Sequence, residues 1–420
     1  MEKQRPSGGQ EKPFDVGKRE VQRAWEKVRA AKGAPGADGV TIAEFEENLK
    51  DNLYKVWNRM ASGTYFPPPV KAAGIPKADG GTRMLGVPSV ADRIAQTVAA
   101  ARIGAVVEPV FCGDSCGYRP GRGALDAAGA CRGRCWRYDW VLDLDVSRFF
   151  DSVSWDLMIK AVEAQDVPRW VLLYVRRWLA APVVMPDGSR AEREAGTPQG
   201  SCVSPVLANL FMHYAFDEWM AREFPGCPFE RYADDAVVHC RTLARTLEVR
   251  AALEARMEQV GLVLHPEKTR IVYCRDGNRR GSWDGPVSFD FLGFTFRARS
   301  VSGKRGRFAG FGPAISDRNK ARISAEISGW KLHRLVSLTE RELSARIAPR
   351  VRGWMAYYGT YYRSEMYPLL ARLNWHIQKW GKCKYRRLRP GKKMQAAWDG
   401  LTARSPGLFP HWRWVTWAWQ

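Results

Sequence analysis

No stretch of this 420-residue chain is apolar for long enough to cross a bilayer. Met1 to Pro13 is polar and lacks an apolar core, so it reads as a flexible tail and not as a secretory signal. Acidic residues are in short supply: 44 Asp and Glu stand against 66 Lys and Arg, a formal net charge of +22. A chain so basic repels itself unless a polyanion neutralises it, which points to nucleic acid as partner. Cysteine is sparse and odd in number, at nine. That disfavours a disulfide framework and fits free thiols in a reducing cytoplasm. Cys112 and Cys116 followed by Cys131 and Cys135 have zinc-like spacing. However, Gly117 to Gly121 lies between the pairs and Ala124 to Ala130 reads as a helix, so free thiols are the expectation.

What is present is an ordinary globular composition, 45% hydrophobic and 26% charged. The length suits roughly two or three subdomains. Lys18 to Lys32 reads as a helix with Val21, Trp25 and Val28 on one face, stopped by Gly33-Ala34-Pro35-Gly36. Thr41 with Glu44 forms a capping-box pattern. It opens one continuous helix whose apolar face runs through Ile42, Phe45, Leu49, Leu53, Val56 and Met60. Trp140 to Val146 alternates as a strand, with Asp143 and Asp145 on the face of Val141. Pro228 to Arg241 reads as a β-hairpin with Asp234-Asp235 at its turn. Phe289 to Phe296 is a further strand or tight strand pair, and Ser302 to Gly306 reads as a linker. Beyond it, Arg322 to Lys331, Glu340 to Tyr358 and Met366 to Tyr385 look helical and basic.

Nucleotidyl transfer needs divalent ions held by carboxylates, and hard ions prefer oxygen ligands. Asp145 on a strand and Asp234-Asp235 on a hairpin turn meet that need. Their contexts sharpen the reading. Tyr232-Ala233-Asp234-Asp235 resembles the signature turn of reverse transcriptases. Asp143 to Asp151, reading Asp-Leu-Asp-Val-Ser-Arg-Phe-Phe-Asp, resembles the first catalytic-aspartate motif of the group II intron branch. Gly196-Thr197-Pro198-Gln199-Gly200-Ser201 and Ser204 to Asn209 are similar to that branch's nucleotide loop and following helix. In the family's order stand Gly33 to Val40, Ile75-Pro76-Lys77, Gly81-Thr82-Arg83, Leu85 to Pro88, Asp92-Arg93, Gly117 to Arg122, His265 to Thr269 and Phe291-Leu292-Gly293-Phe294. Arg352-Gly353-Trp354 with Tyr357-Tyr358 resembles the maturase thumb, and Leu408 to Trp412 the closing segment.

The resemblance implies an α+β right-hand polymerase: fingers, an antiparallel-sheet palm and a helical thumb. The boundaries expected are a tail at 1–14, fingers at 15–139, palm at 140–300 with inserted fingers helices, thumb or maturase domain at 301–390 and a C-terminal extension at 391–420. It implies RNA-directed DNA polymerisation, with Asp145 and Asp234 as principal ligands of two Mg²⁺ ions, Asp235 in support, and Mn²⁺ as substitute. Asp143 and Asp151 are structural or outer groups. Lys77 and Arg83 are candidates for the triphosphate and Gln199 for the sugar. Phe150 is the candidate stacking on the deoxyribose, with Phe149 its competitor. Arg119, Arg122, Lys268, Gly293, Lys382, Lys384, Arg386 and Arg387 are candidates for nucleic acid. Partners implied are intron RNA, a DNA primer or target and dNTPs, without a membrane, in a cytoplasmic ribonucleoprotein.

Trp380 to Lys393 holds no acid and interleaves bases with aromatics, which suits phosphate contact and stacking. Trp354 reads as thumb core, and Trp412, Trp414, Trp417 and Trp419 as a hydrophobic cap. No Cys and His cluster follows His411, so an endonuclease domain is not expected. Competing readings are a domesticated reverse transcriptase in phage defence or repair, a splicing cofactor without polymerase activity and, remotely, another palm enzyme such as a nucleotide cyclase.

Overall fold

The computed structural model describes residues 12–76, 81–279, 281–303 and 306–418. Among them no helix is long and apolar enough to cross a membrane. The chain divides into two compact units. One holds the residues up to Gly123 with Leu144–Ala236 and Leu247–Thr269; the other holds Ala124–Asp143, Val237–Thr246 and Arg270 onward.

The first unit opens on Lys18–Ala31, whose Val21, Trp25 and Val28 are buried as the periodicity requires. The helix expected from Thr41 is broken into Ile42–Glu47 and Leu49–Ala61. Asn48 leaves helical geometry at φ −118°, and the Asn52 side-chain amide donates to the Phe45 carbonyl at 3.0 Å. The side chain thus satisfies a carbonyl near the break. A four-stranded sheet follows, with Thr82–Val87, Val70–Pro76, Val183–Val184 and Arg190–Ala191 in that order. Its first two strands are antiparallel, pairing Ile75 with Arg83. The helix Val90–Val107, capped by the Ser89 hydroxyl, lies in the middle of this unit, with Ile94, Ala95, Val98 and Ile103 buried. Lys77 falls outside the described residues.

The palm sheet has the strand order Phe229–Tyr232, Asp235–Cys240, Trp140–Leu144, Arg270–Tyr273. Trp140–Asp143 pairs antiparallel with Arg270–Tyr273, setting Asp143 opposite Arg270. That register explains the odd carboxylate on an apolar strand: Asp143 accepts a charge-assisted bond from Arg270 at 3.0 Å.

In the second unit, the linker expected over Ser302 to Gly306 lies partly outside the described residues, and its described part is strand: Phe294–Gly303 and Gly306–Ile315 pair antiparallel along their whole length. The alternation of Phe294, Phe296 and Ala298, against Phe311 and Ile315, gives the two strands their propensity. Phe289 stacks on Phe296 at 4.8 Å and lies 6.3 Å from Phe311. These rings are fully buried, each contributing roughly 1.5–3 kcal/mol. The helices Asp317–Gly329, Glu340–Tyr358 and Tyr367–Lys384 follow. The last thirty positions, expected as an extension, include a further helix, Gly391–Arg404. Trp412 is buried there, whereas Trp417 is 52% exposed and Trp419 lies outside the described residues. Cys131 and Cys135 face inward from the helix Ala124–Cys135, and burial pushes the Cys135 thiol up to about 12, beside Cys131 and Cys274.

Candidate active site

Asp145 follows directly on the strand Trp140–Leu144. Its carbonyl accepts from His265 N–H at 2.7 Å, and Ser147 N–H donates to the Val263 carbonyl at 2.8 Å. The short antiparallel bridge between Val146 and Leu264 completes the clamp. The carboxylate pairs with the Lys268 ammonium at 3.3 Å, on an exposed rim.

Asp234 stands at the turn between Phe229–Tyr232 and Asp235–Cys240, after Ala233 in the left-handed region at φ 60°. The turn is tight because it is braced from below. The Arg231 guanidinium is fully buried, donates to the Ala233 carbonyl at 2.8 Å and grips both oxygens of buried Asp217 at 2.7 and 2.6 Å. It also donates to Asn209 Oδ1 at 3.1 Å, and the Asn209 amide donates to the Gly117 carbonyl at 2.6 Å. Removing one partner of such a buried pair costs about 3–5 kcal/mol, because the other charge stays behind unpaired. Asp217 closes a short π-helical stretch, His213–Asp217, a local rewinding often found near functional sites.

Burial raises the Asp234 carboxyl above its ordinary value, and the neighbouring Asp145 charge raises it further, eased by Arg83 and Arg231. Two acidic side chains are therefore held near each other against their repulsion. Asp235 opens the next strand alongside. Burial, with the Asp234 charge behind it, also raises the Tyr118 hydroxyl. Carboxylate oxygens suit a hard divalent cation such as Mg²⁺. Among the described residues, however, the carboxylates of Asp145, Asp234 and Asp235 do not all converge within 4.8 Å of one another.

In the same unit, a cleft of about 380 Å³ is lined by Gly86, Phe150, Asp151, Thr197 and Gln199 among others. Phe150 and Phe149 are now distinguished. Phe149 is 2% exposed and packs on Phe211, while Phe150 lines the cleft. The loop from Gly196 fixes it: Thr197 N–H donates to the Phe150 carbonyl at 2.7 Å. Gly196 has φ 79°, and a β-carbon there would sit 2.6 Å from that same carbonyl oxygen. On the other side, Gly86 N–H donates to the Gln199 carbonyl at 2.7 Å. Arg83 lies exposed on the strand bordering this loop, within electrostatic reach of Asp234.

Comparison with known proteins bears on this geometry. A family model described as reverse transcriptase (RNA-dependent DNA polymerase) matches residues 75–296. The chain belongs to the reverse transcriptase family. A second model, the group II intron maturase-specific domain, matches residues 320–398. Among curated relatives, Protein YkfC of Escherichia coli is 28% identical over 293 residues, covering 59% of this chain and 75% of that protein. The group II intron-encoded protein LtrA of Lactococcus lactis is 26% identical over 193 residues, 45% of this chain and 32% of its own. The putative COX1/OXI3 intron 1 protein of Saccharomyces cerevisiae is 27% identical over 191 residues, 45% of this chain and 23% of its own. This is a reverse transcriptase with a maturase domain behind it, a combination whose partners are RNA template and nucleic acid.

For a reverse transcriptase, the residues expected on nucleic acid divide unevenly. Arg119 does not present its charge outward: its side chain is 3% exposed, grips Glu108 and donates to the Cys112 and Ser115 carbonyls. It is a strut of the loop that carries Gly117. Arg122 is exposed but donates to the Gly113 carbonyl. Lys384 directs its ammonium at the Val336 and Leu338 carbonyls, at 3.1 and 2.6 Å. Arg386 and Arg387 are exposed, and Lys382 half-buried. Gly293 turns at φ 81° after Leu292 at 51°, and its carbonyl accepts from Ser316 N–H at 3.1 Å and from the Asn319 amide at 3.2 Å. The Tyr357 hydroxyl holds the Leu292 carbonyl at 2.8 Å.

Sequence reasoning did not single out Arg231 or Asp217. An arginine in a buried strand, two residues before the turn and beside Glu230, was the available signal, since such a charge needs a buried partner.

Proposed function

We propose that this chain copies an RNA template from an annealed DNA primer, with Asp145, Asp234 and Asp235 holding two Mg²⁺ ions, or Mn²⁺ in their place. The supporting observation is the pairing of Asp145 and Asp234 in a chain rich in cations, with the second carboxylate raised by burial and by the first. A divalent cation beside them would relieve the repulsion between the two carboxylates. Bound divalent ions supply activation of the primer 3′-oxygen and neutralisation of the leaving pyrophosphate.

The protein's own groups position and shield. Asp145 is clamped by its backbone to His265, and Asp234 by the braced turn, so neither needs to move as the nucleotide arrives. Arg83, with Lys77, takes the triphosphate of the incoming dNTP. Phe150, fixed through Thr197, lies under the deoxyribose, and Gln199 meets the sugar edge. Lys382, Arg386 and Arg387 grip intron RNA by its phosphates, for splicing and for retrohoming, in a bacterial cytoplasmic ribonucleoprotein. The first unit serves as fingers and catalytic palm, and the helices after Ser316 serve as thumb.

Primer extension tests this. Purified protein receives an RNA template, an annealed DNA primer, dNTPs and Mg²⁺, beside Asp234→Ala. Extension by the parent is expected, with a loss of at least about a thousandfold in the variant. A folded parent that binds RNA yet extends nothing would leave the splicing-cofactor reading instead.

A further inference from the structure

A buried polar chain runs from the core of the first unit to the loop that forms the nucleotide cleft. Gln96 lies one turn after Asp92 on the helix Val90–Val107, and both are buried. Gln96 Oε1 accepts two hydrogen bonds from the loop, from the Ser201 hydroxyl at 2.7 Å and the Cys202 N–H at 2.8 Å. Its Nε2 donates to Asp92 Oδ2 at 2.9 Å. The other oxygen, Asp92 Oδ1, accepts from the Tyr65 hydroxyl and the Trp178 indole, both at 2.8 Å.

The direction of every bond in this chain is fixed. An ionised carboxylate has acceptors only, so it takes the NH₂ end of the Gln96 amide. The carbonyl end must then face the loop. There it meets two donors that would otherwise be buried without partners, each costing about 1–3 kcal/mol. The Gln199 carbonyl is pinned to Gly86 just before these residues, and a β-carbon at Gly200 would lie 2.8 Å from the Gly86 carbonyl oxygen. Gln199 and Gly200 are thus suspended between the Gly86 strand on one side and Gln96 on the other.

We infer that Gln96, oriented by Asp92, is a positioning residue that holds the Gln199–Cys202 loop in its nucleotide-binding form and so sets the affinity for the incoming nucleotide. It touches no substrate; it acts through the loop. The inference rests on the polymerase reading above and adds a residue to that site.

The test is single-nucleotide incorporation on a preannealed RNA template and DNA primer, with KM for dNTP and kcat measured separately, together with thermal melting and template–primer affinity. Gln96→Met keeps the volume and removes both loop bonds. It is expected to raise KM about tenfold, the loss of roughly one net hydrogen bond, with kcat within about twofold and template–primer affinity unchanged. Asp92→Asn sets an amide NH₂ against the NH₂ of Gln96, and Gln96→Glu sets carboxylate against carboxylate. Each is expected to raise KM at least as much. Combined, the new amide donates to the new carboxylate, whose second oxygen still accepts from Ser201 and Cys202. The double variant is therefore expected to return to within about threefold of the parental KM. An unchanged KM in Gln96→Met, a double variant no better than the worse single one, or losses in melting temperature and kcat at constant KM would each overturn the inference. A parent that extends no primer would instead overturn the polymerase reading on which it rests.

Discussion

A β-carbon at Gly117 would lie 2.4 Å from the Ala233 backbone nitrogen, closer than any real contact allows. The neighbour is backbone and the turn is braced by Arg231, so it has nowhere to yield. Gly117→Ala is expected to cut primer extension at least about a hundredfold, because a shift of about 1 Å at the turn misplaces Asp234, the proposed metal ligand. Gly104→Ala is the control: a β-carbon there meets nothing within 4 Å. It should leave activity intact and add about 0.5–1 kcal/mol of stability, as removing a helical glycine does. Parental activity in Gly117→Ala would mean that the close approach is not required. A second residue sets an acid limit. Burial holds the His411 imidazole down to about 3, against an ordinary value of 6.5. Its Nε2 faces Asn374 Oδ1 at 2.7 Å, where the Trp412 indole also donates, so the ring is neutral with its proton on Nε2. Below pH 6.5 the unfolded chain takes up a proton that the folded chain refuses. The stability linked to His411 is whole above pH 6.5 and drains as pH falls towards 3. Asp92 runs the other way: burial raises it to about 6, so its contribution is fullest below 3.8 and is lost as pH rises through 6. His411→Gln keeps a donor for Asn374 and removes the titration. In urea unfolding, the variant should lose less stability than the parent between pH 6.5 and 4.5; parallel losses would show that His411 does not set this limit.

Elements were legible in the sequence where one periodicity acts alone. Lys18–Ala31 follows its apolar face, Glu340–Tyr358 stands where the sequence looks helical and basic, and the hairpin around Asp234 follows from the alternation after its turn. The aspartates of the candidate site stood out by their sequence contexts, Tyr232-Ala233 before Asp234-Asp235 and the run Asp143 to Asp151 around Asp145, since aspartate at a turn is common on its own. What was not legible depended on contacts distant along the chain. The break at Asn48 is accompanied by an amide of Asn52, which no helical periodicity reveals. Ser302 and Gly303 have the composition of a linker, yet the ladder from Phe294–Ile315 to Gly303–Gly306 takes them into strand. Arg119 and Lys384 read as nucleic-acid contacts because composition counts charge without its partners. Glu108 lies eleven residues before Arg119, and the carbonyls that take Lys384 lie more than forty residues before it. The choice between Phe149 and Phe150 needed a cleft to face, and that cleft is made by residues from several separate segments.

Over the whole molecule, a net charge of +22 counts for binding only through those cations that a phosphate can displace water from. The distinction drawn between exposed and committed cations becomes measurable in the salt dependence of RNA binding. Each phosphate neutralised on a single strand contributes about −0.7 to the slope of log affinity against log salt concentration. Arg386 and Arg387 are exposed in the acid-free segment after Trp380, so Arg386→Ala with Arg387→Ala should make the slope shallower by about 1.4. Lys384 directs its ammonium at the Val336 and Leu338 carbonyls and lies over the Trp380 and Tyr385 rings. Lys384→Ala should therefore lower the melting temperature while leaving the slope nearly as it was. Filter binding of a single-stranded RNA at a series of potassium concentrations, with thermal melts of the same proteins, reads both effects. A slope that Lys384→Ala alters as much as the double arginine variant would mean that Lys384 leaves its carbonyls for phosphate when RNA binds.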